Sequence, residues 1–223
     1  MLKKLQKETF QFLKILKDNN NREWFAANKD KYLAANEDFI GFIASLIKEI
    51  AKFDPSVSLL EAKSCVFRIY KDVRFSKDKL PYKTNFGAAI SPRGKGNGFA
   101  NYYFHLAPEG SFLAGGAYMV DPKALKSIRQ EISYNGREFL KIIQNKKFRE
   151  YFTLDGEKLV NVPRNFDKED PMGEYLKYKQ FVMYHALDEK EVFSENFIAY
   201  CTNIFKTMVP FNDFLNTAMM DIS

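Results

Sequence analysis

Between positions 68 and 84 the chain reads Arg-Ile-Tyr-Lys-Asp-Val-Arg-Phe-Ser-Lys-Asp-Lys-Leu-Pro-Tyr-Lys-Thr, and these residue types suit an anion. Arg68 and Arg74 each offer a planar fork that can hold phosphate or carboxylate through two bonds. Lys71, Lys77, Lys79 and Lys83 add point charges, while Ser76, Tyr82 and Thr84 add neutral hydroxyl donors. Asp72 and Asp78 can orient those cations, and one of them is the candidate base if a substrate is turned over. A structural reading stands beside the functional one: Arg68, Asp72, Arg74 and Asp78 pair among themselves and staple a loop to a sheet. Pro81 fixes one backbone angle and stiffens the exit from the segment.

Charge singles out the same region. Residues 66–95 carry eight basic and two acidic side chains, which equals the net charge of +6 for all 223 residues. The rest of the chain is balanced, so the positive field is local and attracts phosphate, carboxylate or nucleic acid. Other chemistries find little support. The two histidines, His105 and His185, have no neighbouring ligand at metal spacing. Cys65 and Cys201 lie in apolar settings and are expected as buried thiols, not as a disulfide or a nucleophile. Gly94-Lys95-Gly96-Asn97-Gly98 lacks the ending and the context of a phosphate loop. No cofactor is implied. Tyr70, Phe75, Tyr82, Phe86, Tyr102 and Tyr103 interleave with the basic residues, which keeps a nucleic-acid-binding module open as an alternative.

The elements that must position these residues follow from periodicity. Leu2, Leu5, Phe12, Leu13 and Leu16 approximate one helical face, and Asn19-Asn20-Asn21 stops that helix and caps the next. A second helix is expected from Arg22 to about Ala35, with Trp24 and Phe25 as core anchors. Arg22 joins the basic site if these helices fold over the sheet. The clearest helix bears Phe39, Phe42, Ile43, Leu46, Ile47 and Ile50, and Asp54-Pro55 closes the block. Strands are expected over Cys65–Tyr70, Phe86–Ile90, Ala100–Leu106 and Ser111–Met119, with Gly115-Gly116 marking a bulge or a close backbone approach. Asp121-Pro122 starts a helix. An aromatic helix follows at Phe148–Phe152, then a short strand at Leu159–Val162 and a last strand over Gln180–Leu187. Ser194 caps a terminal helix that Pro210 is expected to break.

Helices, then strands, then helices with sparse strands argue for an α+β fold with a mainly antiparallel sheet flanked by N-terminal and C-terminal helices. The expectation is a single domain over 1–223, with 154–172 the one place for a subdomain break. No apolar run reaches the length of a membrane span. No signal-peptide core follows Met1-Leu2-Lys3-Lys4, so a cytoplasmic location is expected.

Three blocks resemble domain-of-unknown-function family 2461, a group of conserved hypothetical, mostly bacterial proteins. They are Phe12-Leu13-x-x-Leu16-x-x-Asn19-Asn20-x-Arg22-x-Trp24-Phe25 with Lys29 and Tyr32; Arg68-x-x-Lys71-Asp72-x-Arg74-Phe75-Ser76-x-Asp78-Lys79-x-Pro81-Tyr82-Lys83; and Tyr102-Tyr103-x-His105-Leu106-x-Pro108 through Gly115-Gly116 to Leu125-x-x-Ile128-Arg129. The chain departs from the family pattern near its C-terminus. Where Pro-x-Gly-Phe and then Asp-His-Pro are usual, it has Pro163-Arg164-Asn165-Phe166 and Glu169-Asp170-Pro171. The resemblance implies one α+β domain and brings no activity with it. The residues therefore point to a protein that binds a small anionic, perhaps phosphorylated, ligand through Arg68, Lys71, Arg74, Ser76, Lys77, Lys79, Tyr82 and Lys83. The sequence does not fix whether it is an enzyme or what its oligomeric state is.

Overall fold

A computed structural model describes residues 2–72, 74, 78–92, 94–96 and 98–220. The chain begins with three helices, α1 (Lys7–Asp18), α2 (Arg22–Ala27) and α3 (Lys29–Ile50). All six apolar residues of the α3 stripe, from Phe39 to Ile50, are buried. Asp38 immediately precedes that stripe and is itself buried, because it caps a different helix. Gln6 at the start of α1 has no cap of its own. Asp38 Oδ2 accepts from Gln6 N at 2.9 Å and from Thr9 Oγ1 at 2.6 Å, and Lys3 Nζ lies 3.7 Å from Oδ1. A carboxylate there satisfies an orphan N–H and complements the positive helix end. This capping sets the true start of α1. Leu5 is buried ahead of the helix and Leu2 is exposed, so neither belongs to the helical face expected of them.

A 3₁₀ turn (Pro55–Val57) and α4 (Ala62–Cys65) lead to strands β1 (Phe86–Ile90), β2 (Asn101–Leu106) and β3 (Ser111–Ala117). Then come α5 (Pro122–Tyr134), α6 (Gly136–Ile143), α7 (Lys146–Tyr151), β4 (Thr153–Asp155), α8 (Gly173–Leu176), β5 (Phe181–Leu187), α9 (Glu189–Val192) and α10 (Phe197–Met220). The five strands form one antiparallel sheet in the order β1-β2-β3-β5-β4, with Thr153 opposite Tyr184 and Asp155 opposite Val182. The protein is α+β, as its sequence pattern indicates.

The chain divides into two compact units: 1–95 with Tyr103–Leu113 and Ala186–Asn203, and Gly96–Tyr102 with Ala114–His185 and 204–223. In the first, Phe39 stacks on Phe86 and Phe104, and Phe42 packs on Phe104 and Phe197, with centroids 5.3–5.7 Å apart. In the second, Phe139 meets Tyr175 and Phe214 at 5.3 and 5.5 Å. Gly115 and Gly116 are sites of close approach. A Cβ on Gly116, whose φ is 110°, would lie 2.2 Å from Phe181 O.

Several expected elements differ from what forms. The second helix ends at Ala27, and residues 29–35 open α3 instead. Cys65–Tyr70 is not a regular strand: Cys65 ends α4, and the rest pairs only through isolated bridges. Leu159–Val162 is no strand either, and Val160 is 90% exposed there. Pro210 does not break α10, which continues to Met220. Proline removes one helical hydrogen bond, but Phe205, Met208, Phe211 and Leu215 are all buried around it, and that packing holds the helix together.

Candidate functional site

The basic segment is positioned by an irregular antiparallel pairing. Val66 bridges Ala88 and Tyr70 bridges Tyr82, and the register slips by two residues between them. Phe67 N donates to Gly87 O at 2.9 Å, Lys83 N to Ile69 O at 2.8 Å and Lys71 N to Pro81 O at 2.9 Å. The pairing buries Ile69 and leaves Arg68 and Tyr70 exposed.

The corner between α1 and α2 clamps this hairpin. Asn20 Nδ2 donates to Tyr82 O at 2.9 Å, and its Oδ1 accepts from Tyr82 N at 3.1 Å. A carboxamide offers a donor and an acceptor side by side, so Asn20 stands in for a neighbouring strand. Phe25, buried on α2, stacks on Tyr82 with centroids 3.9 Å apart. Asn21 caps α2 by accepting from Trp24 N at 2.8 Å, which places Arg22 beside the clamp.

A cleft of about 580 Å³ opens there, lined by Asn20, Asn21, Arg22, Tyr70, Lys71, Lys79, Leu80, Pro81 and Tyr82. Its described lining holds three cations and no carboxylate. Two larger hollows differ. One of about 960 Å³ mixes Arg137, Lys141, Lys147 and Lys206 with Glu131, Glu138 and Asp213; one of about 780 Å³ sets Lys7 and Lys31 against Glu8 and Asp38. Size favours those two, but charge singles out the smaller cleft. The Arg22 side chain makes no hydrogen bond or ion pair among the described residues. Burial and then Tyr70 raise the Tyr82 hydroxyl above its ordinary range, with Arg22 opposing. Burial and then Tyr70 likewise raise Tyr32. These phenols therefore stay neutral donors.

Of the described candidates, some are paired and some lie off this cleft. Lys71 forms an ion pair with Asp78. Arg74 is three-quarters exposed and grips Asp72 with Nε–Oδ1 at 3.0 Å and a terminal nitrogen 2.7 Å from Oδ2. That side-chain bond, followed by one from the Arg74 backbone, lowers Asp72 to about 2. Such a carboxylate is ionised near neutrality and is a weak proton acceptor. Arg68 and Lys83 do not line the cleft; Lys83 Nζ sits 5.6 Å from the Phe67 ring. Ser76 and Lys77 lie outside the described residues. Sequence reading treated Asn20 as helix punctuation and missed its clamp. Its one signal was a third asparagine in a row, more than a single cap requires.

Cys65 and Cys201 are buried free thiols, both raised by burial and unsuited as thiolates. No group of three or more metal-ligating side chains occurs among the described residues, and none of their helices is long and apolar enough to cross a membrane. His105 stacks on Phe112 with centroids 4.4 Å apart, and its Nδ1 lies 3.2 Å from Tyr103 Oη. Burial lowers His105 from 6.5 to about 4, opposed by Glu109. The unfolded chain therefore takes up this proton first. The His105 contribution to stability is complete above about 6.5 and is lost as pH falls toward about 4. Melting temperature measured across that window should decline in the parent protein and stay flatter in a His105→Phe variant.

A family model described as conserved hypothetical protein (DUF2461) matches residues 8–214. No curated protein and no solved structure matches the chain.

Proposed function

The chain belongs to the DUF2461 family of conserved hypothetical proteins, and from that premise we propose that the cleft between the α1–α2 corner and the basic hairpin binds a small anionic ligand bearing a phosphate group. The observation that carries this reading is the convergence of Arg22, Lys71 and Lys79 on one hollow whose described lining has no acid. Cations gathered on one wall set up a local positive field that attracts an anion. Arg22 supplies the planar fork, Lys71 and Lys79 supply point charge, and Tyr70 and Tyr82 supply hydroxyl donors. Lys71 exchanges its resting partner Asp78 for the ligand. If the ligand is turned over, the same cations stabilise charge that develops in the transition state. Asp78, joined to the cleft through Lys71, is then a better placed base than Asp72.

Titration calorimetry with inorganic phosphate and pyrophosphate tests the proposal. Arg22→Ala should weaken binding about ten- to a hundredfold, the usual effect of losing a charged hydrogen bond. Arg22→Lys should recover part of that loss. Arg74→Ala should leave the affinity unchanged, since Arg74 lies off the cleft. Absence of binding to the parent protein, or equal affinity in a folded Arg22→Ala variant, overturns the assignment.

A further inference from the structure

The half-open face of β1–β3 in the first unit carries a second cationic feature, separate from the cleft. Phe104 points to the side that packs on Phe39 and Phe42 of α3. Strand alternation therefore places Tyr103 and His105 on the opposite face, and both are only partly buried. Phe112 of β3 joins them there, also partly buried. The rings form a continuous series. Phe67 is 6.3 Å from Tyr103, Tyr103 is 5.8 Å from Phe112, and Phe112 stacks on His105 at 4.4 Å. Gly87 makes room for this arrangement: a Cβ on it would lie 2.4 Å from Tyr103 Oη, so its absence lets the tyrosine lie across β1. His105 is neutral near pH 7, which leaves the series uncharged.

Cations border the Phe67 end of the series. Lys83 and Lys95 place Nζ 5.6 and 5.9 Å from the Phe67 ring, and Lys95 Nζ also donates to Val66 O at 2.6 Å. Arg68 stands near Lys83 and depresses its basicity, after burial. Neither the Arg68 nor the Lys83 side chain has a hydrogen bond or ion pair among the described residues. The acids that face this region are engaged elsewhere: Asp72 by Arg74 and Glu109 by Lys17 at 2.9 Å.

From this juxtaposition we infer that the β1–β3 face binds single-stranded nucleic acid, with bases stacked on Tyr103 and Phe112 and phosphates on Arg68, Lys83 and Lys95. Flat rings accept any base, while the cations follow the backbone. A duplex keeps its bases stacked internally and cannot use the platform.

Fluorescence anisotropy with labelled oligothymidine and oligouridine strands of about ten nucleotides tests this inference. The parent protein should bind at low salt, with an affinity that falls log-linearly as salt rises. Tyr103→Leu and Phe112→Leu keep apolar bulk but remove the ring, and each should weaken binding about five- to a hundredfold with folding intact. Arg68→Gln and Lys83→Gln should each reduce the salt slope by about 0.7. Arg22→Ala should leave oligonucleotide affinity unchanged, which separates this face from the phosphate cleft. A preference for oligouridine or for oligothymidine identifies RNA or DNA as the source, and either supports the inference. No binding at low salt, equal affinity for duplex of the same length, or unchanged affinity in both leucine variants overturns it.

Discussion

A Gly116→Ala protein is expected to lose about 3–5 kcal/mol of stability, taking backbone strain and overpacking together. Gly116 has a φ of 110°, a region that L side chains rarely adopt. An added Cβ would lie 2.2 Å from the backbone carbonyl of Phe181 and 2.9 Å from Phe211 Cε1. A carbonyl in a sheet cannot swing aside as a flexible side chain can, so β3 and β5 must move apart. Gly115→Ala is the useful comparison. Its Cβ meets Met208 at 2.8 Å and Asn101 O at 3.0 Å without a positive φ, and methionine adapts readily. Urea unfolding should rank the two losses with Gly116→Ala clearly larger. Equal losses would remove backbone strain as the cause.

Asn20→Ala is expected to cost about 2–4 kcal/mol, because it deletes two hydrogen bonds and strands a partly buried N–H and C=O of Tyr82. It should also weaken phosphate binding, since the clamp fixes one wall of the cleft. Asn20→Asp separates geometry from chemistry. The carboxylate still accepts from Tyr82 N but faces Tyr82 O with no proton to donate, so the variant should remain well below the parent. Thermal melts and phosphate titrations on both variants check this. Stability within about 0.5 kcal/mol of the parent, the usual spread for a neutral surface change, would show that the clamp does little.

What was legible in the sequence depended on how local its cause was. The α3 stripe could be read because six residues at helical spacing all answer to one buried surface. The strands β1, β2 and β3 could be read because turn residues bracket them. Cys65–Tyr70 alternates like a strand, yet a two-residue register slip reduces it to isolated bridges; nothing within the segment reports its partner's offset. Pro210 signalled a break by its own backbone chemistry, and packing of distant aromatic residues overrode it. The site shows the same division. Its cationic composition is plain in residues 68–83. Its enclosure depends on Asn20 reaching Tyr82 across 62 positions, a contact that no periodicity encodes. Arg22 could be raised as a neighbour only on the condition that the helices fold over the sheet.

Asp38 ties the first helix to the third. The residue that caps α1 lies 32 positions after Gln6, so the opening turn gains this partner only when α3 has formed and docked. Thereafter the two helices should fray as a unit. Hydrogen exchange at the start of α1 should then report the departure of α3, the two helices opening as one cooperative element.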